Sequence, residues 1–239
     1  MTRESKAIIS RQPIRILSAG APKTGVRKCA EVFAAQTGGD FEIEFATAPV
    51  LKQRVGGGEA NADVMVAPLA TMENFSSEGL AEPVGPIGSV TAGVVIRNGG
   101  PAPDLSTVES FVAAMLGADS LVYNEASSGQ YIASMIDKLC ITEQVAVKVV
   151  RAKTGSAVME HLAKDTAANE IRFGPITEIR LKEDLGVHLV GPLPDAVGKV
   201  TTYAVAVLVG SPIPESADAL AAFMTSADGK EIMVATGVV

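Results

Sequence analysis

Apolar and polar positions change period repeatedly along this chain, and the changes predict a series of strands and helices. The run Ile14-Arg15-Ile16-Leu17 is short and apolar, as a strand is, and Val26, Cys29, Ala30 and Phe33 then recur at helical spacing. The same switch from strand to helix returns several times before the C-terminus. Strands that alternate with helices are typical of an α/β fold in which parallel strands form the sheet.

The elements predicted in this way cover most of the chain. The predicted strands are residues 14–17, 41–45, 62–67, 93–97, 121–123, 145–150, 170–175, 187–190 and 203–209. The predicted helices are residues 25–36, 50–55, 69–75, 106–116, 132–139, 157–163, 176–181, 216–224 and 229–235. Ser106, followed three residues later by Glu109, indicates a capping box at the start of the fourth helix.

The stretch Asn124–Tyr131 forms a small polar turn between a predicted strand and a predicted helix. Such a turn directs several backbone N–H groups, and the positive end of the helix dipole, at one spot. Ser127 and Ser128 offer hydroxyls, and Gly129 lets the backbone approach a ligand closely. The stretch therefore predicts an anion site, and an ordinary helix cap is the alternative interpretation.

Other strand-to-helix turns repeat this arrangement and predict further ligand contacts. The residues are Ser18, Ala19, Gly20 and Lys23 in the first turn, Thr47 in the second, and Thr154, Gly155 and Ser156 in a later one. Capping is the alternative for the hydroxyls, and a solvated helix position is the alternative for Lys23. In parallel sheets such turns meet at the carboxyl edge, where ligands bind. Four helix starts of this kind favour a ligand site over ordinary capping.

Composition excludes several classes of partner and of chemistry. The 239 residues carry a net charge of -7 without a Lys/Arg cluster, so we predict no nucleic-acid partner. No apolar run approaches the roughly 20 residues that span a bilayer, so we predict no membrane insertion. Cys29 and Cys140 lie in apolar helical patterns without metal-ligand spacing, which predicts buried free thiols, with a disulfide as the alternative. Motifs for a metal, a cofactor, a serine nucleophile or a nucleotide phosphate are not found, and we predict no cofactor.

The first residues bear on where the protein works. Residues 1–13 are polar and charged, with Ala7-Ile8-Ile9 as their apolar part. A secretory signal needs an apolar core of about 7–15 residues. The stretch therefore predicts a cytoplasmic protein, or a periplasmic one from which a signal has been removed.

Several local motifs, taken in order, resemble those of one known family. They are Leu17-Ser18-Ala19-Gly20-Ala21, Phe45-Ala46-Thr47-Ala48-Pro49-Val50-Leu51, Ala62-Asp63-Val64, Ser128-Gly129-Gln130-Tyr131 and Tyr203-Ala204-Val205-Ala206-Val207. From about residue 14 the chain resembles the type II periplasmic binding proteins, in particular the molybdate-binding proteins of ABC transporters. The resemblance implies a two-lobed α/β fold with mixed sheets, helices on both faces and a ligand cleft between the lobes.

The resemblance also implies how the chain is divided and which late residues meet the ligand. One lobe would comprise residues 1–90 and 202–239, the other residues 91–201, and two crossing segments would let the lobes close on a small anionic ligand. Phe173 stands where the family has a ligand-binding Tyr, and Tyr203 lies on the second crossing strand. If the protein is exported, the resemblance implies a transporter permease as its partner.

Departures from the molybdate-binding pattern point to a different ligand. The Ser hydroxyl of the family's first loop is replaced by Ala21, its second Ser falls near Thr47 or Ala48, and its late Tyr is Phe173. Each buried partner left unpaired costs about 1–3 kcal/mol. The resemblance therefore implies that this chain binds an organic carboxylate rather than molybdate.

The chain also resembles the related aconitate isomerases, which implies an alternative hypothesis. The reaction would be a 1,3-proton shift in a small unsaturated polycarboxylate. It needs a base near the acidic C–H and donors for the charge that develops. Glu125, Lys23, Tyr131 and Tyr203 are the candidate bases. A solute-binding protein is the first hypothesis and an isomerase the second, and they differ in whether a base is positioned at the ligand.

Overall fold

The computed structural model of the protein describes residues 12–83, 85–162 and 169–239, with backbone only for residues 161 and 162. The strands in this part of the chain are Ile14–Ala19 (β1), Phe41–Ala46 (β2), Val64–Pro68 (β3), Gly85–Arg97 (β4), Ser120–Asn124 (β5), Val149–Ala152 (β6), Glu170–Pro175 (β7), Val187–Pro192 (β8) and Val200–Val207 (β9). The α-helices are Lys23–Thr37 (α1), Ala48–Gly56 (α2), Leu69–Ser77 (α3), Val108–Gly117 (α4), Ser127–Lys138 (α5), Thr142–Val145 (α6), Gly155–Leu162 (α7), Ile176–Arg180 (α8), Pro214–Thr225 (α9) and Ala227–Ala235 (α10). The predicted α/β class is confirmed.

The described residues form two compact units. Unit 1 consists of the residues up to Ser89 together with Thr201–Val239, and unit 2 is Val90–Val200. The chain leaves unit 1 within the 13-residue strand β4 and returns to it at the start of β9. Unit 1 is therefore discontinuous in sequence.

Unit 1 has a mixed sheet in the order β2-β1-β3-β9. Strand β1 runs parallel to β2 and to β3, with Ala19 opposite Ala46 and Ser18 opposite Val66. Strand β9 runs antiparallel to β3 and places Tyr203 opposite Pro68. The carboxyl ends of β1, β2 and β3 and the amino end of β9 therefore share one edge, as the turn positions predicted.

The core of unit 1 follows from the hydrophobic pattern of its strands and helices. Residues 64–67 of β3 are buried in succession, as expected for a central strand that is covered on both faces. Edge strand β2 instead alternates half-buried apolar residues with exposed Glu42 and Glu44. Helix α1 buries Val26, Cys29 and Phe33 and packs against α9 and α10. Burying each large apolar side chain contributes about 1.5–3 kcal/mol.

The two cysteines differ in their surroundings, and both are free thiols. Cys29 is buried in α1, as predicted, and its thiol points toward the Gly229 carbonyl oxygen at 3.6 Å. Burial raises the pKa of the Cys29 thiol to about 12. Cys140 is exposed just after α5, so its predicted burial is wrong. It takes a left-handed backbone conformation (φ 57°) that ends the helix.

A buried carboxylate fixes the edge of unit 1 at which β3 begins. Asp63 is fully buried, and its two oxygens accept hydrogen bonds from Arg15 Nε at 2.9 Å and Arg15 Nη2 at 2.8 Å. Ser211 Oγ also donates to Asp63, at 2.8 Å. Burial alone would raise the pKa of Asp63, but these hydrogen bonds outweigh it and hold that pKa below its usual value. Asp63 therefore joins three separate segments of unit 1.

Unit 2 has a second mixed sheet in the order β8-β4-β7-β5-β6. Strand β5 is parallel to β6 and to β7, whereas β4 is antiparallel to β7 and to β8. Asn124 at the end of β5 lies opposite Ala152 at the end of β6. The carboxyl ends of β5, β6 and β7 thus share one edge, and α5, α7 and α8 begin just beyond it.

Both faces of this second sheet are covered by apolar side chains. One cluster contains Phe111 and Phe173, whose rings meet edge to face at 6.2 Å between centroids. The other cluster contains Val122 and Val158. Because Phe173 is only 1% exposed within the first cluster, packing in the core accounts for this residue.

Three sequence predictions in unit 2 need comment. The strand predicted over 145–150 is wrong before residue 149, since α6 and a short 3-10 helix precede β6. A short apolar run does not by itself show whether a segment is a helix or a strand. The capping box predicted at Ser106 is wrong, because Thr107 is the N-cap and its hydroxyl accepts from Ser110 N at 3.0 Å. The predicted helix end at Ala163 lies outside the described residues.

Candidate functional site

The first turn of unit 1 brings backbone groups, more than side chains, to the carboxyl edge. Ser18 is fully buried in β1, and its hydroxyl donates to the Ala19 carbonyl oxygen at 3.0 Å. The Gly20 carbonyl accepts from Lys23 N at 3.1 Å and closes the turn into α1. Lys23 is half-buried at the first helical position. Of the predicted contacts here, Gly20 and Lys23 lie where a ligand could reach them.

The second turn of unit 1 leaves a hydroxyl at the same edge. Thr47 is the N-cap of α2 in an extended conformation, and its carbonyl accepts the Leu51 N–H at 2.9 Å. Its hydroxyl does not cap the helix. Tyr203 lies at this edge on β9 and is 6% exposed. The edge of unit 1 therefore assembles Gly20, Thr47 and Tyr203 from three distant parts of the sequence.

The start of α5 is organised by Asn124, the last residue of β5. Its side chain is buried, and Oδ1 accepts the Gly129 N–H at 3.1 Å. Nδ2 donates to Ser128 Oγ at 2.9 Å, and the Ser128 hydroxyl lies 3.3 Å from Oδ1, to which it can donate in turn. A helix leaves its first N–H groups without intrahelical acceptors, and here they belong to Ser127 and Ser128. Two hydroxyls and two N–H groups thus lie together at the positive end of α5.

The absence of a side chain at Gly129 has a structural cause. A Cβ on this residue would overlap the carbonyl oxygen of Asn124. Glycine is therefore required for α5 to begin this close to β5, independently of any ligand. The group that approaches Gly129 closely is thus the Asn124 carbonyl, which belongs to the chain itself.

The start of α7 also faces a group of the chain itself. Thr154 Oγ1 accepts the Ala157 N–H at 3.1 Å and caps the helix. A Cβ on Gly155 would overlap Oε2 of Glu178, a residue of α8 that is 8% exposed. Ser156 follows at a half-buried position. A carboxylate of this protein therefore lies where the sequence predicted a ligand anion.

The candidate bases occupy different environments. Glu125 is exposed in the turn after β5, where its N–H donates to the Ala152 carbonyl at 2.9 Å. Tyr131 lies within α5, and its hydroxyl is within 3.1 Å and 3.2 Å of the carbonyl oxygens of Val197 and Gly198. The Lys199 ammonium lies 5.5 Å from the centre of the same ring. Tyr131 is thus held by its own unit, whereas the Glu125 side chain faces solvent.

Sequence reasoning missed two residues that shape these edges. Asn124 is the first residue of the stretch Asn124–Tyr131, in which the sequence predicted an anion site. An Asn at the end of a strand, four residues before a Ser, is a local signal that its side chain accepts an N–H at the start of the helix. Glu178 has no local signal, because 22 residues separate it from Gly155 and only the packing of α8 beside α7 joins them.

The chemistry of the two edges is that of uncharged donors. Hydroxyls, N–H groups and helix starts dominate, and they favour an anion without neutralising it by a strong ion pair. Within the described residues, no cluster of three or more His, Cys, Asp or Glu side chains is arranged to hold a metal ion. None of the described helices has the length and apolar character needed to cross a membrane.

Comparison with known proteins identifies a matching family and a curated relative. Residues 14–239 match the sequence model of a family described as bacterial extracellular solute-binding protein. An aconitate isomerase from a Pseudomonas species is 25% identical, over 98% of this chain and 91% of that protein.

Solved structures share the fold at low sequence identity. The periplasmic molybdate-binding protein of Azotobacter vinelandii superposes with a TM-score of 0.72 at 16% identity, over 95% of this chain and 98% of that one. The sulfate-binding protein SubI of Mycobacterium tuberculosis superposes with a TM-score of 0.77 at 14% identity, over 95% of this chain and 86% of that one. The predicted type II periplasmic-binding-protein fold is confirmed.

Proposed function

Because the chain belongs to the family of bacterial extracellular solute-binding proteins, we propose that it binds a small organic carboxylate at the starts of its helices. The start of α5 carries the proposal: Asn124 orients Ser128, and the Ser127 and Ser128 N–H groups lie beside two hydroxyls. A carboxylate presents two acceptor oxygens on one side, which matches donors that lie together at a helix start.

Unit 1 supplies a second set of donors in this proposal. Gly20, Thr47 and Lys23 lie beyond the carboxyl ends of β1 and β2, and Lys23 adds a positive charge. Each set could hold one carboxylate group of a ligand, and closure of the two units around a ligand remains a prediction from the family resemblance. A polycarboxylate is therefore the preferred class of ligand, ahead of molybdate or sulfate.

A thermal-shift screen tests the proposal directly. The panel comprises cis- and trans-aconitate, citrate, molybdate, tungstate and sulfate. A carboxylate present at 100 times its Kd should stabilise the protein by about 2.7 kcal/mol, which gives a clear rise in Tm. A larger shift with an inorganic oxyanion, or no shift with any carboxylate, would contradict the proposal.

Variants at α5 locate the site. Ser127→Ala and Ser128→Ala should each weaken carboxylate binding about 10- to 100-fold, because each variant removes one hydrogen bond to a charged group. Isothermal titration calorimetry measures the affinities. Ser134→Ala is the matched control, because Ser134 is exposed farther along the same helix. Equal affinities for all three variants would remove α5 from the site.

Isomerisation of the bound ligand is the second candidate function, and it is favoured by the 25% identity to the aconitate isomerase across 98% of this chain. Glu125 is the candidate base with the most accessible side chain, and it lies two residues before Ser127, the first of the proposed carboxylate donors. Proton NMR of cis- or trans-aconitate with the protein in D2O would reveal turnover as deuterium uptake and growth of the other isomer. Glu125→Gln should stop turnover and keep binding, whereas Glu143→Gln, an exposed control in unit 2, should change neither. Binding without deuterium uptake would leave a carboxylate receptor.

Family membership bears on location and partner as well. We propose that, if the chain is exported, it delivers its ligand to the permease of an ABC transporter. Fractionation of cells that express the natural gene tests this step. Recovery of the protein in the cytoplasm alone would contradict it.

A further inference from the structure

The start of α7 holds an internal carboxylate, Glu178. Its Oε2 lies so close to Gly155 that a Cβ there would overlap it, and the residue is only 8% exposed to solvent. Glu178 lies on the short helix α8, directly after β7, and α8 packs beside α7. The location of the carboxylate is therefore set by the fold of unit 2 and by the missing side chain of residue 155.

The electrostatics of this position explain why a carboxylate is stable there. An α-helix carries a partial positive charge at its amino end, and that charge favours an anion placed within the first turn. A buried carboxylate requires such compensation, since burial without it is strongly unfavourable. Thr154 already satisfies the Ala157 N–H. Glu178 and Thr154 together thus complete the start of α7 from within the chain.

We infer that Glu178 is a specificity-determining residue that occupies the anion position of α7 and thereby excludes inorganic oxyanions from the site. The inference rests on the proposed function, in which the start of α5 holds the ligand carboxylate. A tetrahedral oxyanion carries acceptors in all directions and needs donors from several helix starts. A carboxylate can be held from one side, so it is compatible with an α7 that is already occupied by a like charge.

The choice of ligand follows from this arrangement. In unit 2, the sequence predicted anion sites at the starts of α5 and α7. Because Glu178 occupies the start of α7, the start of α5 is left for the ligand. A part of the ligand that approached α7 would meet Glu178, which repels a second anion and accepts hydrogen bonds. The selected class is therefore an extended organic acid whose carboxylates lie away from α7, and not a compact tetrahedral anion.

Titration of sulfate and molybdate against the wild-type protein, Glu178→Ala and Glu178→Gln tests the inference, by calorimetry and by Tm at constant ionic strength. Glu178→Ala opens the start of α7 and should bind at least one of the two oxyanions about tenfold or more tightly than the wild type. Glu178→Gln keeps the shape and removes the charge, and should show a smaller gain in the same direction. It replaces Glu178→Ala as the decisive variant if that protein does not fold.

Glu183→Gln is the matched control, since it removes one exposed carboxylate from the same unit five residues away. It should leave oxyanion affinity unchanged. The inference would be overturned if the folded Glu178 variants bound sulfate and molybdate no more tightly than the wild-type protein does. A purely structural role of Glu178 would lower Tm without a gain in oxyanion affinity. Titration of trans-aconitate into the wild type reports separately on the proposed function.

Discussion

At the scale of single residues, two glycines chosen as ligand contacts are explained first by contacts within the chain. Gly129 gives room to the Asn124 carbonyl, and Gly155 gives room to the Glu178 carboxylate. Local sequence indicates that a glycine permits close approach, but it does not indicate which group approaches. The tertiary structure identifies both groups as internal.

Gly129→Ala should destabilise the folded protein by about 2–3 kcal/mol, because the added methyl group meets backbone that cannot move aside easily. Gly117→Ala is the matched control in the same unit, at a helix end with open space around it. It should be neutral or stabilising by about 0.4–1 kcal/mol, through a smaller loss of chain entropy. Urea unfolding measures both values, and similar costs for the two variants would contradict the proposed packing.

At the scale of elements, helix starts divide into those completed by their own side chains and those left for other groups. Helices α4, α7 and α10 have side-chain caps, from Thr107, Thr154 and Ser226. Thr47 does not cap α2, and the α5 start relies on Asn124 from the preceding strand. A missing side-chain cap is therefore not specific to the proposed binding edges, because α6 and α9 also begin without one.

Thr107→Ala should cost about 1 kcal/mol of stability, since it removes the acceptor for the Ser110 N–H at the start of α4. Ser106→Ala, one position earlier, should cost less because Ser106 is not the N-cap. The free energies of unfolding of the two variants decide between the observed cap and the capping box predicted at Ser106. A larger cost for Ser106→Ala would favour the predicted box.

At the scale of the whole molecule, unit 1 is assembled from two separate stretches of sequence and needs contacts that join them. Asp63 provides one, because it binds Arg15 from β1 and Ser211 from the C-terminal stretch. The motif Ala62-Asp63-Val64, which contributed to the family resemblance, therefore has a structural explanation at the edge where β3 begins.

Asp63→Asn should destabilise the protein by about 3 kcal/mol at pH 7, because Arg15 loses its buried charged partner. The folded pKa of Asp63 is lowered, so its stabilisation is present above the unfolded pKa of about 3.9 and is lost as pH falls through the folded value. The difference between variant and wild type should accordingly shrink below about pH 4. Urea unfolding at several pH values measures it.

Asp218→Asn serves as the control for this series, because Asp218 is exposed on α9. Its free energy of unfolding should follow that of the wild type at every pH. A cost of Asp63→Asn that stays constant down to pH 3 would show that the lost contact does not depend on the charge of Asp63.

The amino-acid sequence predicts the order of strands and helices, the α/β class and the edge at which the turns gather, because hydrophobic period and turn composition are local properties. It also placed Ser127, Ser128 and Thr47 at helix starts. It did not determine the burial of Phe173 in a core, the exposure of Cys140, or the short helix that replaces the first part of the strand predicted at 145–150. These depend on which surfaces pack together.

The three-dimensional structure shows which of the predicted helix starts are occupied by groups of the chain itself. The role of Asn124 depends on the angle at which α5 leaves β5, and the position of Glu178 depends on contact between α7 and α8. The Asn124 contact spans five residues within one strand-to-helix turn, whereas the Glu178 contact has no local signal in the sequence because only the packing of α8 beside α7 brings Glu178 to Gly155. The pattern of strands and helices depends on neighbouring residues in the sequence, whereas the electrostatics at the start of α7 depend on segments that meet only in the folded protein.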